Sequence, residues 1–88
     1  MKIREDELTW QELEDEIVVL DLAGSVYLQI NGTGAALWKV LLDGADRTQL
    51  VTTLTTTYHV DEATAGRDVD AFLEQLRTAG LLIESTEA

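Results

Sequence analysis

The apolar pattern of this chain changes period once, at Asn31, and that switch limits the fold more than any other feature. Before it, apolar residues alternate or run in short β-branched groups; after it they recur three and four residues apart. Leu8–Leu13 reads as a first strand, with Leu8, Trp10 and Leu13 set among polar neighbours. Glu14-Asp15 forms a tight turn. Glu16–Leu22 reads as a second strand, in which Ile17, Val18, Val19 and Leu20 make the apolar run of a central strand with both faces partly covered. Ala23-Gly24 connects it to a third strand, with Gly24 free to take positive φ. In that strand, Ser25–Ile30, Val26, Leu28 and Ile30 point one way and Ser25, Tyr27 and Gln29 the other. The order predicts a three-stranded antiparallel meander.

Helical spacing follows. Asn31 and Thr33 are both N-cap candidates, and Leu37, Trp38, Leu41 and Leu42 form an apolar stripe that ends at Asp43-Gly44. Gly32 and Gly34 sit where the strand must turn into this helix. No Walker lysine follows them and their spacing is not that of a dinucleotide fingerprint, which favours a turn over a phosphate cradle. A second helix is predicted over Arg47–Tyr58. Asp46 and Gln49 suit a capping box, and Leu50, Val51, Leu54 and Tyr58 face inward. Its threonine-rich outer face reads as solvated. A third helix is predicted over Glu62–Ala79, with Asp61 as N-cap and Ala65, Val69, Phe72, Leu73 and Leu76 as the inner stripe. Gly66 inside it marks either a close-packed face or a weak first turn. Gly80 is a natural C′ residue, after which Leu81–Ile83 fold back on the core or pair as a short strand. The tail Glu84–Ala88 is expected to fray.

Three strands followed by three helices make an α+β domain with helices on one face of a small sheet. The 88 residues form one domain, 1–88, with an ordered core expected over about 8–83. Seventeen acids against six basic side chains leave a net charge of -11. That balance opposes duplex nucleic acid and anionic membrane, both of which are held by Lys and Arg. Glu5–Glu16 is the densest acidic stretch and predicts an acidic rim near the sheet. No apolar run approaches the ~20 residues of a membrane span, and Met1–Glu7 lacks the apolar stretch of a secretory signal. The expected compartment is the cytoplasm.

The residues for catalysis are scarce. The chain has no cysteine and one histidine, so thiolate chemistry and disulfides are excluded and routes to zinc are few. His59 lies two residues before Asp61, but no nucleophile stands beside the pair; a solvated inter-helix histidine is the simpler reading. Asp68 with Asp70, and Glu14-Asp15-Glu16, lack the glycine-punctuated spacing of a calcium loop. No metal and no cofactor is expected. Trp38 belongs to the core; Trp10 could lie at a sheet edge.

That edge is the remaining opportunity. Ser25–Ile30 carries no proline, no lysine and no inward charge, the devices that normally blunt an exposed strand. If it is terminal in the sheet it can add an extended peptide, with the third helix as the second wall of a groove. The alternative is that Leu81–Ile83 covers it.

One family shares these residues. Val18-Val19-Leu20-Asp21-Leu22, Gly24, Tyr27 through Ile30-Asn31, Thr33-Gly34-Ala35 and Trp38, followed by Leu50, Leu54, Tyr58, Asp68-Val69, Phe72-Leu73, Leu76 and Ala79-Gly80-Leu81-Leu82, resemble the PqqD family over about residues 8–83. The resemblance implies a RiPP recognition element. Such a domain is a winged helix-turn-helix-like fold that binds the leader region of a ribosomally made precursor peptide and presents it to modifying enzymes. It also implies a binding mode in which the leader adds a strand to the third strand, in the cleft against the third helix. Carried over, the leader-binding residues are Ser25, Val26, Tyr27, Leu28, Gln29 and Ile30, with Arg67, Asp68, Ala71, Phe72 and Gln75 on the helix.

The acidic, cysteine-free chain looks more like the stand-alone proteins of lasso peptide pathways. There the partners are a leader peptidase and an asparagine-synthetase-like macrocyclase, and the leader brings a tyrosine and a proline into small apolar pockets. A peptide chaperone for the radical SAM enzyme of PQQ assembly is the alternative. A winged-helix DNA-binding regulator shares the fold class, but the two later helices hold only Arg47, Arg67 and Arg77 among several acids. An acyl carrier protein would be all-helical with an Asp-Ser-Leu-type site, which Ser25 and Ser85 do not supply. The expected protein performs no chemistry itself and is a monomer or an edge-strand dimer.

Overall fold

The computed structural model describes residues 1–14 and 16–84. Along these residues run β1 (Lys2–Ile3), β2 (Leu8–Leu13), β3 (Glu16–Asp21), β4 (Val26–Asn31), α1 (Thr33–Leu42), α2 (Arg47–Tyr58), α3 (Glu62–Ala79) and β5 (Leu82–Ile83). The main sheet has the order β2-β3-β4 and is antiparallel throughout. This is the predicted meander followed by three helices.

Strand periodicity divides the sheet into two faces. Val19 stands opposite Trp10 on one side and Leu28 on the other, and Ile17 stands opposite Ile30. These side chains face the helices, and Ile17, Val19 and Ile30 are buried. Val18, Leu20, Tyr27 and Gln29 occupy the alternate positions and face away. The helices close the core with Leu37, Trp38, Leu41, Leu50, Leu54, Val69 and Leu76, none of which has measurable exposure. Trp10 meets Trp38 edge to face, ring centroids 6.0 Å apart, a geometry the aromatic quadrupoles favour. Trp38 is thus core, and Trp10, 38% exposed, covers it from β2.

The second helix starts as its sequence predicts. The Asp46 carboxylate accepts from the Gln49 N–H, and the Gln49 side chain accepts from the Asp46 N–H. Asp61 occupies the N-cap position of α3, where its carboxylate accepts a hydrogen bond from the Thr64 hydroxyl. Gly66 lies beneath the Arg47 side chain: a Cβ there would stand 3.0 Å from an Arg47 nitrogen. Arg47 reaches past it to Asp70, tying α2 to α3 at 2.8 Å. His59 closes α2 as an exposed residue with φ 56°.

Several expectations change. The cap of α1 is neither Asn31 nor Thr33 but Gly32, with φ 65° and no side-chain capping bond; the strand runs on through Asn31, so only a residue tolerant of positive φ fits between the two elements. The β3–β4 connection is longer than two residues, and positive φ falls on Ser25 (57°) rather than Gly24. Gly24 answers a different need, since a Cβ there would lie 3.1 Å from Asp21 Oδ2. Leu22 and Ser25 therefore belong to the turn, not to the strands. Leu13 pairs with Glu16 across the first hairpin; Asp15 of its turn, and 85–88 of the tail, lie outside the described residues.

The folded core also begins earlier than residue 8. Ile3 is 1% exposed, and β1 pairs antiparallel with β5, Lys2 opposite Ile83 and Ile3 opposite Leu82. The end of the chain thus pairs with its beginning and leaves β4 alone. Arg4 joins the two sheets, donating to the Gly80 carbonyl at 3.1 Å and to the carboxylate of Asp21. Asp21, 3% exposed, is the buried charged residue of the core. It also accepts from the Ala23 N–H at 3.1 Å.

Candidate functional site

Because β5 pairs with β1, one side of β4 has no strand against it among the described residues. Every second residue of Val26–Asn31 directs its backbone N–H and C=O away from β3, into that space. Val26 and Leu28 are half-buried on the helix side of the strand, and Ile30 is buried there. Tyr27, 64% exposed, projects from the opposite face.

Beside the free edge lies a groove of about 330 Å³. Gln29, Ile30 and Asn31 of β4 form one wall, Thr33 and Gly34 of α1 close one end, and Asp68, Ala71, Phe72 and Gln75 of α3 form the other wall. Ile30 and Phe72 give it an apolar floor. Asp68 and Gln75 are exposed on its rim, with Asp68 the charged group of the lining. The strand-to-helix turn controls the depth. A Cβ on Gly34 would stand 2.8 Å from Ile30 Cγ2 and 3.4 Å from the Phe72 ring. Glycine alone lets the first turn of α1 approach both walls.

The structure thus brings Gln29, Ile30, Asp68, Ala71, Phe72 and Gln75 together around one cleft. It keeps Val26, Tyr27 and Leu28 on the same open edge but outside the cleft, and it puts Ser25 in the preceding turn. Arg67 is exposed and is not among the cleft's lining residues, because the next residue of the helix, Asp68, takes the inward direction. Asn31, Thr33 and Gly34 also join the site; their signal in the sequence is the Asn-x-Thr-Gly turn, where Asn31 and Thr33 read as capping residues and Gly34 as part of the turn. Among the described residues no cluster of His, Cys, Asp or Glu could hold a metal ion, and no helix is long and apolar enough to cross a membrane.

A small three-stranded sheet, with β4 at one edge beside a helix-walled groove and three helices after it, defines an α+β domain of the winged helix-turn-helix-like class. Residues 16–82 match the family profile described as coenzyme PQQ synthesis protein D (PqqD). The chain belongs to the PqqD family. No curated protein sequence matches it. Two solved structures share its fold over nearly all of both chains. The one described as TbiB1 in complex with the TbiA(beta) leader peptide is 30% identical, covers 99% of this chain and 100% of its own, and superposes with a TM-score of 0.86. The other, a lasso peptide synthetase B1 complexed with the leader peptide, is 28% identical, covers 96% and 100%, and superposes with a TM-score of 0.80.

Proposed function

We propose that this protein binds the leader region of a ribosomally synthesised precursor peptide by strand addition to β4, in the groove against α3, and presents it to modifying enzymes in lasso peptide biosynthesis. The unpaired β4 edge beside the groove carries this reading. The likeness to two leader-peptide complexes supports it. Backbone bonds along Val26–Asn31 give affinity irrespective of sequence, and the groove selects the side chains that enter it. Ile30, Phe72 and Ala71 suit an apolar leader residue; Asp68 and Gln75 offer polar partners at its rim. Val26 and Leu28 extend the apolar contact along the strand.

The enzymes served are a leader peptidase and a macrocyclase, and the setting is the cytoplasm. The protein itself performs no chemistry and uses no cofactor. The lack of cysteine and the single histidine fit this division of labour.

Fluorescence polarisation with a labelled leader peptide, taken from the precursor encoded beside this gene, tests the proposal. Saturable binding at low micromolar concentration or tighter is the expected result. No binding up to tens of micromolar refutes it for that peptide.

A further inference from the structure

The groove beside β4 carries one charge that its own walls do not answer. Asp68 is the charged group of the lining, and no lysine or arginine lines the groove with it. Its own helix does not supply a cation. The neighbours of Asp68 on the helix surface lie three and four positions away; they are Ala71 and Phe72 on one side and Ala65 and Thr64 on the other. Arg67 is next in sequence, but successive residues diverge by about 100° around a helix, and Arg67 lies outside the lining.

The remaining cations are engaged elsewhere. Lys2 pairs with Glu5, Arg4 with Asp21, Lys39 with Glu12, Arg47 with Asp70, and Arg77 with Glu74 and Glu84. Among the described residues Asp68 has no ion-pair partner. In the open groove its exposed carboxylate faces solvent. A peptide laid between β4 and α3 removes part of that solvent. A carboxylate that loses water without gaining a donor is penalised. One that gains an ammonium or guanidinium forms a charge-assisted hydrogen bond, stronger than a neutral one. An aspartate or glutamate in the same place adds repulsion to the lost hydration, which discriminates against acidic peptides. The net charge of -11 acts in the same direction at longer range, since it raises the association rate of a basic partner.

We propose that Asp68 selects leaders that carry a lysine or arginine close to the apolar residue seated on Ile30 and Phe72, by pairing with that cation at the rim of the groove. Phe72 is four residues past Asp68, about 6 Å along the helix axis, so the apolar floor and the cation site are neighbours. This selection rests on the leader-binding function proposed above and adds a charge requirement to it. Backbone bonds along β4 accept any sequence; Asp68 makes the choice among apolar segments.

Titration calorimetry on the full chain tests this, with the leader peptide of the precursor encoded beside this gene. Each lysine and arginine of the peptide is replaced by glutamine, one at a time, and every peptide is titrated into wild type and into Asp68→Asn, a variant of the same shape without the charge. Asp68→Asn should weaken the unmodified leader about three- to tenfold, the range of a partly exposed charge pair. One glutamine peptide should lose a similar factor against wild type and almost nothing against Asp68→Asn. Both losses should shrink in about 0.5 M salt, where partly exposed charges are screened. Charge reversal gives the converse: Asp68→Lys should bind the unmodified leader poorly and recover when the matching leader cation becomes glutamate. Circular dichroism confirms that each variant is folded. Unchanged affinity in Asp68→Asn, losses that are the same in both proteins for every glutamine peptide, or tight binding of a leader without lysine or arginine overturns the charge selection and leaves leader binding standing. A wild-type protein that binds no leader refutes the leader-binding function, and the selection with it.

Discussion

Gly34 and Ile30 are separated by the turn from strand to helix, yet a single methyl group on Gly34 would come within 2.8 Å of Ile30 Cγ2. The depth of the groove is thus set by one missing side chain. Gly34→Ala gains about 1 kcal/mol of helix propensity, but overpacking against a buried, β-branched neighbour costs about 1–3 kcal/mol. Ile30 stands opposite Ile17 in the sheet and has no room to retreat. The expected outcome is a net loss of about 1 kcal/mol in urea unfolding, with weaker leader binding. A more stable Gly34→Ala would show that the turn has slack.

Asp68 and Gln75 are exposed rim residues, so their removal touches the site without touching the core. Asp68→Ala and Gln75→Ala should each change stability by less than about 0.5 kcal/mol. Each should weaken leader binding by up to about tenfold, as expected for the loss of one hydrogen bond worth 0.5–1.5 kcal/mol. Titration calorimetry with the leader peptide measures both. Unchanged affinity in the two variants would move the peptide out of the groove.

Most of the fold was legible because period and capping agreed. The Asp46–Gln49 box fixes the start of α2, and the stripe from Ala65 to Leu76 fixes the buried face of α3. What stayed hidden was nonlocal. Lys2–Ile3 is too short to show a period, and its partner lies at the other end of the chain. Whether β4 is open depended entirely on that pairing, so the sequence alone left the edge undecided. The groove was half legible: its helix wall follows from the 68, 71, 72, 75 spacing, whereas the part played by Asn31, Thr33 and Gly34 depends on how closely α1 approaches α3.

The bond between Arg4 and Asp21 holds the small β1–β5 sheet to the main one. Asp21→Ala would leave Arg4, itself three-quarters buried, without its counter-charge and would release the Ala23 N–H. Breaking a buried pair from one side costs about 3–5 kcal/mol, a large share of the stability of so small a domain. Thermal unfolding should show a large fall in Tm, or no cooperative transition at all. A fall of only a few degrees would mean that the pair is well hydrated.

The Arg47–Asp70 bridge gives a pH signature. Hydrogen bonding to Arg47 holds the Asp70 carboxyl below its usual value of 3.8. A carboxylate with a depressed folded pKa stabilises the fold above its unfolded pKa and loses that contribution as pH falls through the folded one. Wild type should therefore exceed Asp70→Asn in stability at neutral pH, and the gap should close as pH drops from about 4 toward 2. Because the pair is exposed, the gap is small. Parallel denaturation curves at a series of pH values read it, and a gap that persists unchanged at pH 2 contradicts the assignment.

Amide hydrogen exchange along Val26–Asn31, with and without leader peptide, tests strand addition most directly. In the free protein the N–H groups that point away from β3 should exchange rapidly, while their neighbours bonded to β3 are protected. Leader peptide should slow the outward set selectively, in an every-second-residue pattern, with smaller changes at Asp68 and Gln75. A leader that binds while those outward amides go on exchanging as fast as before would contradict the account.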